Sequence, residues 1–359
     1  MADSDSILIL TEDERVLDDL LRLCAAAGAE AEVVHGPAPS VAQWLRAPLV
    51  LIGEDRVRAH PRGARWPSRR EGVLLVGTDL GDHTVWARGV EIGVEQVLRL
   101  PDDESRLGER IADAVERPGQ PALTIGVLGG RGGAGASSLA CALAVTAARQ
   151  GHRSVLVDAD PLGGGLDVLF GGERTPGSRW PAFVSARGRL SGAALDEALP
   201  TLHGVHVLSW DRRSGVRVPV EAMRSVLSSA RRGGGVLVLD LPRAVDESAA
   251  EALTRLDLGL LVVPGELRAM AAGRRVVGAA GALVRDLRLV ARRRAADGLP
   301  GAELAKLLSL PLAGEVPDER GLSTAAEMGE PPGANPQGVL ATFCAGLLDR
   351  VLPTAGVGA

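Results

Sequence analysis

Lysine is almost absent from this chain. Lys306 is the only one, so every other member of the 40 Lys+Arg residues is arginine. Tyrosine is missing altogether and aromatic residues make up 2% of the sequence. Together with 46 glycines and abundant alanine, this pattern fits the coding bias of a GC-rich genome rather than a demand for arginine chemistry. The bias also bears on Ala136, which stands where phosphate chemistry would call for a lysine. Cysteine is scarce too: Cys24, Cys141 and Cys344 are few, far apart and odd in number, which argues against a disulfide framework. Each falls in an apolar helical pattern and reads as a buried thiol. No apolar run reaches the roughly 20 residues of a membrane span. The first residues, Met1 to Asp5, are acidic and lack the positive region of a secretory signal. The expected compartment is the cytoplasm.

What is present is ample for folding. The 359 residues are 46% hydrophobic and 24% charged with a net charge of -5, which excludes wholesale disorder and a strongly basic nucleic-acid binder. At roughly 150 residues per domain, the length implies about two domains. Residues 1–116 read as one alternating β/α unit, with apolar strands at 7–10, 31–34, 49–52, 73–76 and 96–100. Residues 60–70 are polar and read as a loop. Helical patterns lie at 16–27, ended by Gly28, and at 103–116. Residues 117–121 (Arg-Pro-Gly-Gln-Pro) are a linker signal. Residues 122–352 form a second, larger alternating unit, with strands at 124–128, 154–158, 205–208, 236–240, 259–263, 287–290 and 311–315. Residues 353–359 are a tail. Apolar strands alternating with helices predict an α/β fold with a mostly parallel sheet covered on both faces.

The most informative segment follows the first strand of the second unit and opens a helix over 138–150. Gly130-x4-Gly135 has the glycine spacing of a phosphate-binding loop. Glycines let backbone N–H groups converge on phosphate oxygens, and the helix N-terminus adds partial positive charge. Ser137 stands where a hydroxyl would reach Mg2+. The residue before it should be lysine, and here it is Ala136. A charge-assisted hydrogen bond of that kind is worth about 1.5–3 kcal/mol, or roughly 10- to 150-fold in affinity. Arg131, at the head of the loop, supplies a different positive charge. The competing reading is a glycine-rich turn that binds nothing.

Two further strands end in carboxylates. Residues 154–158 run into Asp158-Ala-Asp160-Pro161, about 20 residues after the loop, which places this strand beside the first in a βαβ unit. Residues 236–240 end in Asp240-Leu-Pro242. Carboxylates at strand ends on the edge that carries a phosphate loop suit a Mg2+–phosphate site. Taken singly, each is as well explained as a turn or capping residue.

These residues resemble the MinD/ParA group of P-loop ATPases. The group's loop has the form K-G-G-x-G-K-[ST]-[ST], against Arg131-Gly132-Gly133-Ala134-Gly135-Ala136-Ser137-Ser138 here. Asp158-Ala-Asp160-Pro161 resembles its first switch and Asp240-Leu-Pro242 its second. The run Leu261-Val-Val-Pro264-Gly-Glu266 is similar to the strand and loop near the bound base. Gly314-Glu-Val-Pro317-Asp318 and Ala325-Ala-Glu-Met-Gly329-Glu-Pro331 resemble the late MinD signature. The resemblance covers residues 122–352. It implies ATP and Mg2+ as ligands and a face-to-face homodimer. Gly130, Gly132, Gly133, Ala134, Gly135, Ala136, Ser137, Ser138 and Pro264 would hold the nucleotide, and Ser137, Asp158 and Asp240 the metal. Arg131 would reach the partner's phosphates, and Asp160 would be linked to hydrolysis. With Ala136 in the loop, binding is expected to be weak and hydrolysis slow or absent.

The N-terminal unit narrows the resemblance to the CpaE/TadZ proteins, which join a degenerate receiver-like, flavodoxin-like domain to a MinD-like domain. Within them it is similar to an actinobacterial group that includes a septum site-determining protein; Gly129–Ser137 and Arg179-Trp180-Pro181 carry that likeness. A phosphorylatable receiver has an acidic pair after its first strand, and Glu12-Asp13 matches. It also needs an Asp after the third strand and a lysine before the proline after the fifth. Here Gly53 precedes Glu54-Asp55, and Leu100 precedes Pro101. The unit is therefore expected to be a receiver-shaped interaction module.

The implied role is spatial regulation of septum placement and cell division, with recruitment to the septum or pole. The alternatives are localisation of a Tad/Flp pilus or secretion machine, a DNA-binding partition-type ATPase, and a nucleotide-independent scaffold. Division or Tad proteins would bind through the receiver-like domain. The last helix, 338–352, carries little positive charge and reads as core packing rather than a peripheral membrane anchor. The pairs Arg231-Arg232 and Arg274-Arg275 and the run Arg292-Arg293-Arg294 read as solvated faces, with DNA contact the lesser reading. His203-x-x-His206 lacks the neighbours of a metal site.

Overall fold

A computed structural model describes residues 6–36, 39–59, 66–67, 69–79, 83–115, 121–185, 190–211, 217–293 and 298–352. Most of the expected 117–121 linker, the 353–359 tail, much of the 60–70 loop and Arg294 lie outside the described residues. The chain divides into two compact units, Met1–Pro118 and Gly119–Ala359.

The first unit holds β1 (Ile7–Leu10), α1 (Glu14–Ala26), β2 (Ala31–Val33), α2 (Val41–Arg46), β3 (Val50–Gly53), α3 (Glu54–Ala59), β4 (Val73–Gly77), α4 (His83–Ile92), β5 (Gln96–Arg99) and α5 (Glu104–Val115). Its sheet is parallel throughout, in the order β2-β1-β3-β4-β5. Every residue of β1, β3 and β4 is buried, as expected of apolar strands covered on both faces. The two-residue side-chain period deals them alternately to two cores. Ile7, Ile9, Leu51, Leu74 and Val76 pack with Val16 and Leu20 of α1 and Leu107 and Ile111 of α5. Leu8, Leu10, Val50, Ile52 and Leu75 pack with Trp44, Val57 and Val85 on the other face.

The acidic pair of this unit is already engaged. Asp13 caps α1, accepting from the amides of Arg15 and Val16 at 2.9 and 3.2 Å. Glu12 pairs with Arg56 at 2.8 Å. Asp55 accepts from the Thr11 hydroxyl at 2.7 Å and the Glu12 amide at 2.8 Å. The buried Glu54 accepts from the amides of Thr78 and Asp79 at 3.1 and 3.0 Å. The place of the missing acceptor is therefore full. A Cβ on Gly53 would collide with Asp55 Oδ1 and Thr11 Oγ1 and would sit 2.7 Å from Thr11 Cβ.

The second unit holds β6 (Leu123–Gly129), α6 (Ala136–Arg149), β7 (Ser154–Asp158), α7 (Leu166–Leu169), α8 (Trp180–Ser185), α9 (Gly192–Ala198), β8 (Thr201–Leu202), β9 (Val205–Leu208), α10 (Val220–Arg232), β10 (Val236–Leu241), α11 (Glu247–Thr254), β11 (Leu258–Pro264), α12 (Leu267–Ala280), β12 (Leu287–Arg293), α13 (Gly301–Leu308), β13 (Leu312–Pro317), α14 (Leu322–Glu327) and α15 (Val339–Val351). The eight strands run in the order β13-β12-β11-β6-β10-β7-β9-β8, parallel except for the β8–β9 hairpin. On one face, α6 and α15 bury Leu139, Leu143, Leu340 and Leu347 against Ile125, Val127 and Val238. On the other, Met223, Leu253, Val276 and Leu304 from α10 to α13 pack on Val157, Leu239 and Leu261. The last helix is thus core packing, with Cys344 buried in it.

One expectation is corrected here, and one strand is added. Strand β7 does not lie beside β6, because β10 is inserted between them. Chain proximity favours neighbouring strands, but a long crossover lets a later strand take the central place. Strand β8 was not anticipated, because two residues are too few to show a period. Its hairpin turn, His203-Gly204, has positive φ at both positions (49° and 78°), as two-residue hairpins require.

The crowding at Gly53 carries a testable consequence. Gly53→Ala is expected to destabilise the N-terminal unit by about 1–3 kcal/mol through overpacking, measured by denaturant unfolding of the full chain.

Candidate functional site

The glycine-rich loop leaves the centre of the sheet. Strand β6 has β10 on one side and β11 on the other, so the loop after it faces the loops after both. This is the carboxyl edge, where open α/β sheets take their ligands. Gly133 and Gly135 have φ of 66° and 94°, conformations that suit glycine. Gly135 is the N-cap residue of α6, and that helix presents its first amides to the loop.

The loop borders an open cavity of about 400 Å3, within the range of small-molecule sites. Arg131, Gly132, Gly133, Ala134, Gly135, Ala136, Ser137, Ser138, Asp160 and Asp240 all line it. The structure thus brings together ten of the residues singled out in the sequence. Three are placed elsewhere. Gly130 donates its amide to Val262 O at 2.8 Å, and its Cα packs against Gly273 of α12. Pro264 is buried at the end of β11. Asp158 is turned away into a polar network: its Oδ2 accepts from the Leu166 amide at 2.9 Å and the Ser209 hydroxyl at 3.3 Å. Ser209 also approaches Asp167 Oδ1 at 3.2 Å, and Asp167 is paired with Arg179 at 3.3 Å. Trp180 donates its indole N–H to the Asp158 carbonyl at 2.6 Å and lies against Trp210. The Arg179-Trp180 pair therefore anchors the turn after β7.

Register sets the electrostatics. Asp240 on β10 lies directly beside Asp158 on β7, and both are almost wholly buried, at 5% and 1% exposure. Burial raises the Asp158 carboxyl to about 7, with the negative charge of Asp240 adding to the effect. Burial likewise raises Asp240 to about 6; a hydrogen bond from Ser137 opposes the rise and the charge of Asp160 adds to it. Asp160 accepts from the Leu162 amide at 3.0 Å, which folds the loop after β7 back on itself.

Among the described residues, no three His, Cys, Asp or Glu side chains are grouped as a metal site. The Ser137–Asp240 pair fits a divalent ion only if phosphate oxygens complete its shell, as is usual for Mg2+. His206 Nδ1 lies 3.2 Å from the Thr201 hydroxyl, and His203 sits in the hairpin turn.

Two arginines near the loop were not among the site residues the sequence singled out. Arg243, three residues beyond Asp240, lines the cavity. Its position in a loop at the carboxyl edge was the available signal. Arg292 was expected on a solvated face, and this is corrected: it is 7% exposed and paired with Asp318 at 2.7 Å. Its guanidinium lies beside the loop, where a Cβ on Gly135 would meet Nη1 at 2.9 Å. Neighbouring Arg293 points outward, as strand alternation requires. Arg131 is held by both oxygens of Glu266, at 2.9 and 3.1 Å.

The fold and this loop define the second unit as a MinD/ParA-like P-loop domain following a CheY-like one. It is similar to a ParA family ATPase from Chlorobium tepidum, with a TM-score of 0.57 and 16% identity over 63% of this chain and 97% of that one. It is also similar to the septum site-determining protein MinD complexed with Mg-ADP from Pyrococcus horikoshii, with a TM-score of 0.52 and 17% identity over 66% and 99%. The family model for the Rv3660c-like, CheY-like N-terminal domain matches residues 10–122. The Mycobacterium tuberculosis protein Rv3660c is 36% identical over 351 residues, 96% of this chain and 97% of its own. The chain belongs to the Rv3660c-like family.

The buried carboxylates set a pH dependence. Folded Asp158 and Asp240 keep protons that the unfolded chain has released between pH 3.8 and about 7. Their contribution to stability therefore falls as pH rises through that window. Relative to wild type, Asp240→Asn is expected to melt at a progressively higher temperature from pH 5 to about pH 7 and to keep that difference above it, checked by thermal unfolding from pH 5 to pH 8.

Proposed function

We propose that this protein is a MinD/ParA-type nucleotide-binding spatial regulator, binding ATP with Mg2+ weakly and hydrolysing it slowly or not at all. The observation that carries this reading is the cavity at the head of β6. There the glycine loop, the Ser137–Asp240 pair and Asp160 face one space. The amides and helix N-terminus would take the phosphates. Ser137 and Asp240 would hold Mg2+ against them, and Asp160 would face the water side of the terminal phosphate. The Pyrococcus horikoshii neighbour, whose fold is similar, is complexed with Mg-ADP. Asp158 would act through the turn it organises, rather than as a ligand.

Dimerisation through the loop face, with Arg131 reaching a partner's phosphates, belongs to the same reading. Its bond to Glu266 is partly exposed, and such pairs are worth about 1 kcal/mol or less, so phosphate can replace the carboxylate. The process regulated is septum-site placement, in line with the CpaE-like group that includes septum site-determining protein Ssd. The receiver-shaped unit would dock division proteins at the septum or pole. Ala136 favours a second reading, a nucleotide-independent scaffold. Among the described residues no helix is long and apolar enough to cross a membrane.

Calorimetry with ATP and ADP, with and without Mg2+, separates the two. The expected result is Mg2+-dependent ATP binding in the millimolar range or tighter. No binding at millimolar ATP would leave the scaffold reading.

A further inference from the structure

A polyphosphate in this cavity needs a cation, and the residue that should supply it ends at a methyl group. Three guanidinium groups reach the loop. Arg131 is chelated by Glu266. Arg292 is buried and paired with Asp318. Arg243 differs from both: it is exposed and lines the cavity, and among the described residues no carboxylate pairs with it. Its Nη2 would lie 3.9 Å from a Cβ on Gly132, so the guanidinium stands over the middle of the loop.

The placement follows from topology. Strands β6 and β10 are neighbours in parallel register, Asp240 beside Val127 and Leu241 beside Leu128. The loops that leave them at the carboxyl edge must therefore face each other. Pro242 fixes φ just after the strand, and Arg243 follows. One short segment thus carries both Asp240, bonded to Ser137, and a cation beyond it. Two carboxylates, Asp160 and Asp240, line the same space, so a ligand bearing several negative charges needs this charge all the more.

We propose that Arg243 is the phosphate-binding cation of this cavity, gripping a nucleoside di- or triphosphate from the opposite lip in place of the side chain that Ala136 lacks. A guanidinium suits the part, because its planar fork meets two phosphate oxygens at once and stays charged at every relevant pH. It is available without breaking an ion pair, unlike Arg131 and Arg292. The inference rests on the nucleotide reading given above and adds to it the residue that holds the phosphates.

The test is calorimetry on the full chain with Mg2+-ATP and with Mg2+-pyrophosphate, a phosphate-only probe. The proteins compared are wild type, Arg243→Ala, Arg243→Lys, Ala136→Lys and the double variant Arg243→Ala/Ala136→Lys. Thermal unfolding checks that each is folded. Arg243→Ala is expected to weaken both probes by about 10- to 100-fold, with Arg243→Lys between it and wild type. Ala136→Lys should tighten binding far more in the Arg243→Ala background than in wild type, because the two cations serve the same oxygens and their effects are not additive. Equal binding by wild type and Arg243→Ala would overturn the role of Arg243 while leaving the nucleotide reading intact. A loss confined to ATP, with pyrophosphate unchanged, would overturn it as well. Wild type that binds neither probe at millimolar concentration would remove the nucleotide reading and Arg243's role together.

Discussion

Two carboxylates side by side, at the ends of β7 and β10, set the terms for everything at the carboxyl edge of the second unit. Parallel register makes Asp158 and Asp240 neighbours, and burial denies both the water that would screen them. Each is offset differently. Asp158 is satisfied inward by the Leu166 amide and Ser209, within a network that ends at Arg179. Asp240 turns to the loop and takes the Ser137 hydroxyl. One carboxylate organises the turn after β7, and the other is left facing the cavity.

Positive charge around the loop follows the same economy of placement. The phosphate loop carries no lysine, yet three arginines converge on it from different strands: Arg131 from β6, Arg243 from β10 and Arg292 from β12. Two of them are matched by carboxylates on neighbouring loops, Glu266 and Asp318. Those pairs also link the ends of β6, β11, β12 and β13 into one edge. Arg292 restricts the loop directly, because its guanidinium fills the space a side chain on Gly135 would need.

Much of this was legible in the sequence. Continuous apolar runs marked the central strands, such as β1, β3, β4, β10 and β11, because a strand covered on both faces has no polar side to show. The glycine spacing and the strand-end aspartates pointed to one edge, and ten of the residues they named share the cavity. Less was legible where the third dimension decides. Strand order depends on which crossover wins, so β10 displaced β7 from beside β6. A run of three arginines reads as solvent-exposed, yet strand alternation buries Arg292 and exposes Arg293. Asp158 and Asp160, two residues apart, were both expected to face the ligand, one at the metal and one linked to hydrolysis. A turn sends one inward to the Leu166 amide and leaves the other at the cavity.

The filled pocket at Gly53 has a consequence for descent. A glycine codon can become an aspartate codon by one base change, so an acid at this place in a receiver-shaped domain looks one step away. Here Asp55 and Thr11 fill the space beside Gly53 and hydrogen-bond to each other. An acid at Gly53 would meet those side chains before it met a phosphate donor. A side chain at Gly53 is therefore tied to what stands at Thr11 and Asp55, and the three positions can change only together.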